Sequence, residues 1–345
     1  MKAAILYGPR DLKVEEVENP LMPKADEAIL RIEWAAICGT DMHAYRGAVP
    51  AKTPLIAGHE YVGRILQIGR DVKGLRQGDK VVGSYVASCG QCEYCTAGKP
   101  QLCENRLLFG LNYDGAFAQF MRVPRANRVL VKIPKEVAPK VALLGADMFL
   151  TPLYAVERAD LEPSSSVLVT GLGAVGLSAV IAAKLKGVKE LIGVDLRDRS
   201  LKLAKELGAD HVIDSRKEKN LAKRVRELTD GLGVDVVLEA SGVPEVISSA
   251  LDSVRPFGKH IQIAVPKGEA RLDLRWVESL EKEIIGILNP GSTVYLRKAL
   301  EVIKSHDLQL QKLITHEISL DNIKEAYEIA DTYKGDPIKI VVRVE

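Results

Sequence analysis

The residues best placed to do chemistry are five cysteines and one run of glycines. Cys89, Cys92, Cys95 and Cys103 fit the spacing C-x-x-C-x-x-C-x7-C within one short loop. Four thiolates so close together suit a closed tetrahedral zinc site, and Gly90, Gly98 and Pro100 let the chain wrap the ion. The metal would staple a loop that lacks apolar residues of its own. Two disulfides are the alternative, but they need an oxidising compartment, and nothing in the sequence signals export. Cys38 is left over, followed by Gly39-Thr40-Asp41-Met42-His43, with Gly58-His59-Glu60 some twenty residues later. Alone, Cys38 reads as a small buried hydrophobe and His43 as a surface histidine. Together with His59, Cys38 offers one soft and one borderline ligand, as zinc prefers.

The glycines stand in Gly171-Leu172-Gly173-Ala174-Val175-Gly176, after the β-branched run from Val167 and before a helical pattern ending near Gly187. A second apolar strand ends at Asp195, 19 residues past Gly176. Strand, G-x-G-x-x-G, helix, strand, acid is the order a dinucleotide site needs. The glycines give a tight turn, close backbone approach to a pyrophosphate, and close helix–sheet packing, while the acid accepts from the adenosine ribose.

These residues imply two kinds of scaffold. Residues 1 to about 130 read as β-rich, with short strands at Ala3–Tyr7 and Ala28–Ile32 and loops punctuated by Pro20, Pro23, Pro50 and Pro54. Pro139–Ala159 reads as helical with an interruption near Thr151-Pro152. From Ser166 strands at 167–170, 191–194, 211–213, 235–238 and 260–264 alternate with amphipathic helices, the pattern of a doubly wound parallel sheet. Ile284–Ile287 is a candidate edge strand, and elements after about residue 290 return to the first domain. The expected division is therefore 1–152 with 290–345 as one domain and 153–289 as an inserted dinucleotide domain, the cleft between them being the natural active site. The chain of 345 residues has 48 basic and 46 acidic side chains, interspersed, with a net charge of +2. No basic face implies nucleic acid, and no apolar run has the length of a membrane span. A cytoplasmic location is the expectation.

Taken together, the G-H-E-x2-G-x5-G-x2-V run at Gly58–Val72, the four-cysteine lobe and the Gly171–Gly176 loop make the chain resemble the zinc-dependent medium-chain alcohol dehydrogenases. The likeness spans essentially the whole length and is nearest to microbial secondary-alcohol dehydrogenases, with threonine and polyol dehydrogenases close by. It implies a GroES-like catalytic domain interrupted by a Rossmann domain. It also implies two zinc ions per subunit, one catalytic and one structural, NAD as cofactor, an alcohol or ketone as substrate, and a homodimer or homotetramer. Cys38 and His59 would hold the catalytic zinc, with Asp41 orienting His59. Thr40 would contact the substrate hydroxyl, and His43 would pass its proton to solvent. Glu60 would sit behind the metal and exchange with a ligand, although it follows His59 directly, so that the two side chains are expected to diverge. Tyr85 matches a position that lines the pocket in relatives.

The resemblance leaves the third catalytic ligand to be found, because better-known members use a second cysteine and here the other four are committed to the lobe. Asp147 lies in the apolar run Leu143–Leu150, where a charge is costly unless something pairs it. Some secondary-alcohol dehydrogenases place an aspartate at this distance before the glycine loop, 24 residues ahead of Gly171 here. Asp147 is therefore assigned as the third ligand, against the reading as a helix N-cap. The activity implied is a reversible oxidation of a secondary alcohol or diol to a ketone, or of a primary alcohol to an aldehyde. Polyol or L-threonine oxidation is the alternative, and a non-enzymatic NAD-binding protein would need neither the ligand set nor the relay.

Overall fold

The computed structural model describes residues 1–344. They form two compact units, one of Met1–Leu150 together with the segment from Asn289 onward, the other of Thr151–Leu288.

The second unit carries six parallel strands in the spatial order His211–Asp214, Glu190–Asp195, Ser166–Thr170, Val234–Glu239, Val254–Gln262, Glu283–Gly286. The order runs outward in both directions from Ser166–Thr170 and Val234–Glu239, which makes this a doubly wound Rossmann sheet. Its strands are apolar on both faces because helices cover both: Val167, Leu168, Val169, Leu191 and Ile192 are fully enclosed. The carboxyl ends of two adjacent strands carry Gly171 and Asp195, the place where such sheets bind ligands. Glu283–Gly286 occupies the sheet's edge.

The first unit is the β-rich, GroES-like one. Its larger sheet runs Leu130–Lys132, Lys80–Gly83, Glu60–Ile68, Ala28–Ile37, Lys339–Arg343, Ile314–Ser319, with Phe120–Val123 also paired to Ala28–Ile37. Leu30, Ile32, Tyr61, Ile65, Phe109, Phe117 and Tyr327 fill its core. At the end of the central strand, Ala36 faces Glu60 on one side and Ile37 faces Ile340 on the other. Cys38 follows directly, so three neighbouring strands bring Cys38, Glu60 and Lys339 to one place.

Two local expectations are corrected. Pro139–Ala159 forms two helices, Pro139–Ala146 and Leu150–Arg158, so the break lies at Asp147–Phe149 rather than at Thr151-Pro152. Pro152 falls in the first turn of the second helix, where its missing N–H removes no helical bond. Asp147 is consequently the C-cap residue of the first helix (φ −134°, ψ −56°). The strand expected at 260–264 is Val254–Gln262; an irregularity in its pairing and a φ of +62° at Phe257 break the alternation that marks a strand in sequence. No helix among the described residues is long and apolar enough to cross a membrane.

Candidate metal centres and nucleotide loop

The four Sγ atoms of Cys89, Cys92, Cys95 and Cys103 lie within 4.8 Å of one another, and all five cysteines are free thiols. Cys89 Sγ and Cys95 Sγ are 4.0 Å apart, close to the edge of about 3.8 Å that a tetrahedron of thiolates at zinc–sulfur distance requires. Backbone N–H groups aim at the sulfurs: Cys89 N donates to Cys103 Sγ (3.2 Å) and Gly90 N to Cys95 Sγ (3.3 Å). N–H groups of Gln91 and Cys92 pull the Cys89 thiol down to about 6, and the Cys95 N–H lowers that of Cys92, whereas burial pushes Cys103 up to about 11. The set thus fits a thiolate-bound cation. Because such a metal contributes folding energy locally, Cys92→Ser is expected to lose one metal per subunit and lower the melting temperature, with activity falling only as the fold loosens. Metal analysis beside a thermal melt checks this; fewer than two zincs per wild-type subunit at full activity would sink the two-site reading.

Cys38, His59, Glu60 and Asp147 form a second cluster, again with one donor atom each within 4.8 Å of the others. Asp147 Oδ2 lies 3.4 Å from Cys38 Sγ and 3.6 Å from His59 Nε2. Asp41 performs two tasks from the first turn of helix Gly39–Tyr45. Its Oδ2 accepts from the Cys38 N–H (2.8 Å) and its Oδ1 pairs with His59 Nδ1 (2.9 Å), which leaves His59 Nε2 facing the cluster. Burial would raise the Asp147 carboxyl, yet bonds to His59 and Asn289 hold it well below the usual carboxylate range. Burial would likewise lower His59, but Asp41 and Asp147 hold it well above its ordinary value. Burial and the Asp147 charge push the Cys38 thiol up. A half-buried thiol, a buried imidazole and two carboxylates sharing one small space fit a divalent cation as their common partner.

The expected divergence of His59 and Glu60 is wrong. His59 ends the turn that passes Gly58 (φ +90°), and only Glu60 begins the strand, so strand alternation does not govern the pair. Glu60 is also held from behind. Lys339 Nζ donates to Glu60 Oε1 at 2.6 Å, both side chains are almost completely buried (3% and 0% exposed), and Glu60 Oε2 has no hydrogen-bond partner among the described residues. Lys339 and Asn289, which donates to Asp147, were not legible in sequence: neither lies in a motif, and each partner is far away in the chain. Thr40 Oγ1 is 4.0 Å from Cys38 Sγ, and His43 lies one turn further along the same helix, half-buried. Tyr85 sets its ring edge-to-face against His59 at 6.5 Å and commits its hydroxyl to Asn289 O (3.2 Å).

In the second unit, a Cβ on Gly176 would lie 1.9 Å from Gly171 O, so the loop closes on its helix only with glycine there. Gly173 differs: its φ is −72° and a Cβ would meet nothing nearer than Arg197 Nη2 at 3.9 Å. The protein itself does not demand that glycine, whereas a phosphate approaching the uncapped N-terminus of Ala174–Leu185 would. Asp195 accepts from Leu172 N (2.7 Å), Leu196 N and Arg197 N (2.8 Å each), and Arg197 Nε lies 3.4 Å away. Ala174 and Val175 open the helix between the two glycines. The loop, helix end and acid thus fit a dinucleotide.

Two family profiles match the chain: "Alcohol dehydrogenase GroES-like domain" over residues 24–135 and "Zinc-binding dehydrogenase" over 174–305. The chain is 32% identical over 344 residues to zinc-type alcohol dehydrogenase B of Aspergillus flavus, covering 97% of this chain and 79% of that protein. It is 33% identical over 348 residues to sorbitol dehydrogenase of Bacillus subtilis, covering 99% and 97%. Among solved structures it is similar to the alcohol dehydrogenase TADH from Thermus sp. ATN1, with a TM-score of 0.92 and 31% identity over 100% of both chains.

Proposed function

The chain belongs to the zinc-dependent medium-chain alcohol dehydrogenases, and on that premise we propose that it reversibly oxidises a secondary alcohol or vicinal diol to a ketone, with hydride passing to NAD. The observation that carries this reading is the convergence of Cys38, His59 and Asp147 on one point, with His59 locked by Asp41. These three residues would hold the catalytic zinc, with Glu60 standing behind it to exchange with a ligand rather than as a fourth permanent donor. Cys89, Cys92, Cys95 and Cys103 would hold the structural one. Bound there, zinc supplies Lewis acidity toward the alcohol oxygen and NAD supplies the hydride acceptor.

The chain's own residues do the rest. Thr40, beside Cys38, orients the alcohol and accepts its hydrogen bond. His43, three residues on and so on the same helix face, holds the departing proton before solvent takes it. Gly171, Gly173 and Gly176, with Ala174 and Val175, cradle the pyrophosphate, and Asp195 accepts from the adenosine ribose. Arg197 pairs with Asp195 yet leaves a carboxylate where a 2′-phosphate would sit, so NAD is the preferred cofactor. Asp195→Gly is expected to shift the NADP-to-NAD ratio of kcat/KM by roughly tenfold toward NADP, the size of about 1.4 kcal/mol of lost repulsion. A wild-type enzyme that prefers NADP would show that Arg197 dominates.

A polyol is the second reading, favoured by the likeness to a sorbitol dehydrogenase. A panel of 2-propanol, 2,3-butanediol, sorbitol and L-threonine, followed by NADH absorbance, decides between them; the highest kcat/KM is expected for the simple secondary alcohol or the diol. Five free thiols suit the reducing cytoplasm. The edge strand Glu283–Gly286, with Ile284 42% exposed, suits assembly into a dimer or tetramer, which native mass spectrometry tests.

A further inference from the structure

Asn289 is buried (5% exposed), and its neighbours fix which way its amide points. Gly291 N donates to Asn289 Oδ1 at 2.9 Å, so Nδ2 must be the group that faces Asp147. Nδ2 donates to Asp147 Oδ1 at 2.6 Å and to Ala146 O at 3.3 Å, while the Asn289 carbonyl accepts from the Tyr85 hydroxyl. The turn that follows packs closely and takes only glycine: Gly291 sits at φ +55°, and a Cβ there would lie 2.3 Å from Val86 Cγ1. Asn289 is therefore an oriented donor, held at both ends of its amide and bonded to one oxygen of Asp147. The other oxygen, Oδ2, is the one directed at Cys38 and His59.

We propose that Asn289 is a positioning residue that restricts Asp147 to a single donor oxygen at the metal centre, and so keeps a coordination position open for the substrate. The proposal rests on reading Asp147 as a zinc ligand. A carboxylate can bind a cation through one oxygen or two, and a catalytic zinc needs a vacant position beside three protein ligands. Chelation by Asp147 would fill that position. It would also require breaking a short, charge-assisted hydrogen bond from Asn289, which makes the one-oxygen mode the stable one.

The test uses the full-length enzyme loaded with cobalt in place of zinc. Asn289→Leu keeps the bulk but removes the donor; Asn289→Ala removes donor and bulk together and guards against a folding defect peculiar to the first. Asp147→Ala supplies the reference spectrum of the four-cysteine ion alone. In both Asn289 variants the visible absorption of the catalytic-site cobalt is expected to weaken by about half as its coordination number rises. Turnover is expected to fall about 10–100-fold, in kcat more than in KM. An unchanged spectrum and kcat in both variants, with Asp147→Ala one metal short, overturns the role of Asn289. If instead Asp147→Ala retains two metals, it is the ligand assignment beneath the proposal that fails.

Discussion

Asp147→Ala is expected to hold one zinc per subunit where the wild type holds two, and to lose activity by roughly a thousandfold or more. The magnitude follows from the several kcal/mol that a Lewis acid removes from the barrier, at 1.4 kcal/mol per tenfold. The direction follows from geometry. Asp147 Oδ2 is the atom that closes the triangle with Cys38 Sγ and His59 Nε2, and no other carboxylate in the cluster has its second oxygen clamped by a neutral donor so as to present the first. The four-cysteine lobe draws none of its donors from this site, so its metal stays. Asp147→Cys, which restores a zinc donor, should recover the second metal. Metal analysis with a steady-state assay settles the matter: two zincs and normal turnover in Asp147→Ala would reduce Asp147 to a helix C-cap and move the third position to Glu60.

Lys339→Met is the second large effect, this time on stability. It leaves Glu60 fully buried without its cation, and removing one partner of a buried ion pair typically costs about 3–5 kcal/mol. Glu60 is already pushed up to about 7, burial raising it and Lys339 opposing that rise. The loss should be read in the metal-free protein by denaturant unfolding. Adding zinc is expected to restore part of the loss, because the unpaired carboxylate gains a divalent partner. Lys339→Arg retains the charge and should lose less. A metal-free Lys339→Met protein with an unshifted midpoint would mean that the pair contributes nothing to the fold.

Lys339 and Asn289 also mark where reading the chain as a string stops. The cysteine lobe could be recognised because all its ligands fall in one short loop, whose local geometry converges the four sulfurs whatever the rest of the chain does. The glycine loop is local in the same sense: strand, turn and helix are consecutive, and the close approach of Gly176 to Gly171 is a property of that turn. The two-scaffold architecture was legible from hydrophobic periodicity. Where periodicity was interrupted, as at Phe257 or between the two helices around Asp147, the boundaries shifted.

By itself, then, the sequence determined the elements and the donors that sit next to one another in the chain. The tertiary structure decided which distant side chains meet. Asp147 reaches Cys38 across 109 positions, Asn289 reaches Asp147 across 142, and Lys339 reaches Glu60 across 279. It also decided that Glu60 joins His59 at one point, against the alternation expected of neighbours in a strand. The physical reason is the same in each case. Local backbone geometry fixes where a side chain starts and which way it leaves the chain, but the partner that completes a buried charge is chosen by sheet pairing. Here that pairing places the ends of Glu60–Ile68 and Lys339–Arg343 on either side of the strand that leads into Cys38.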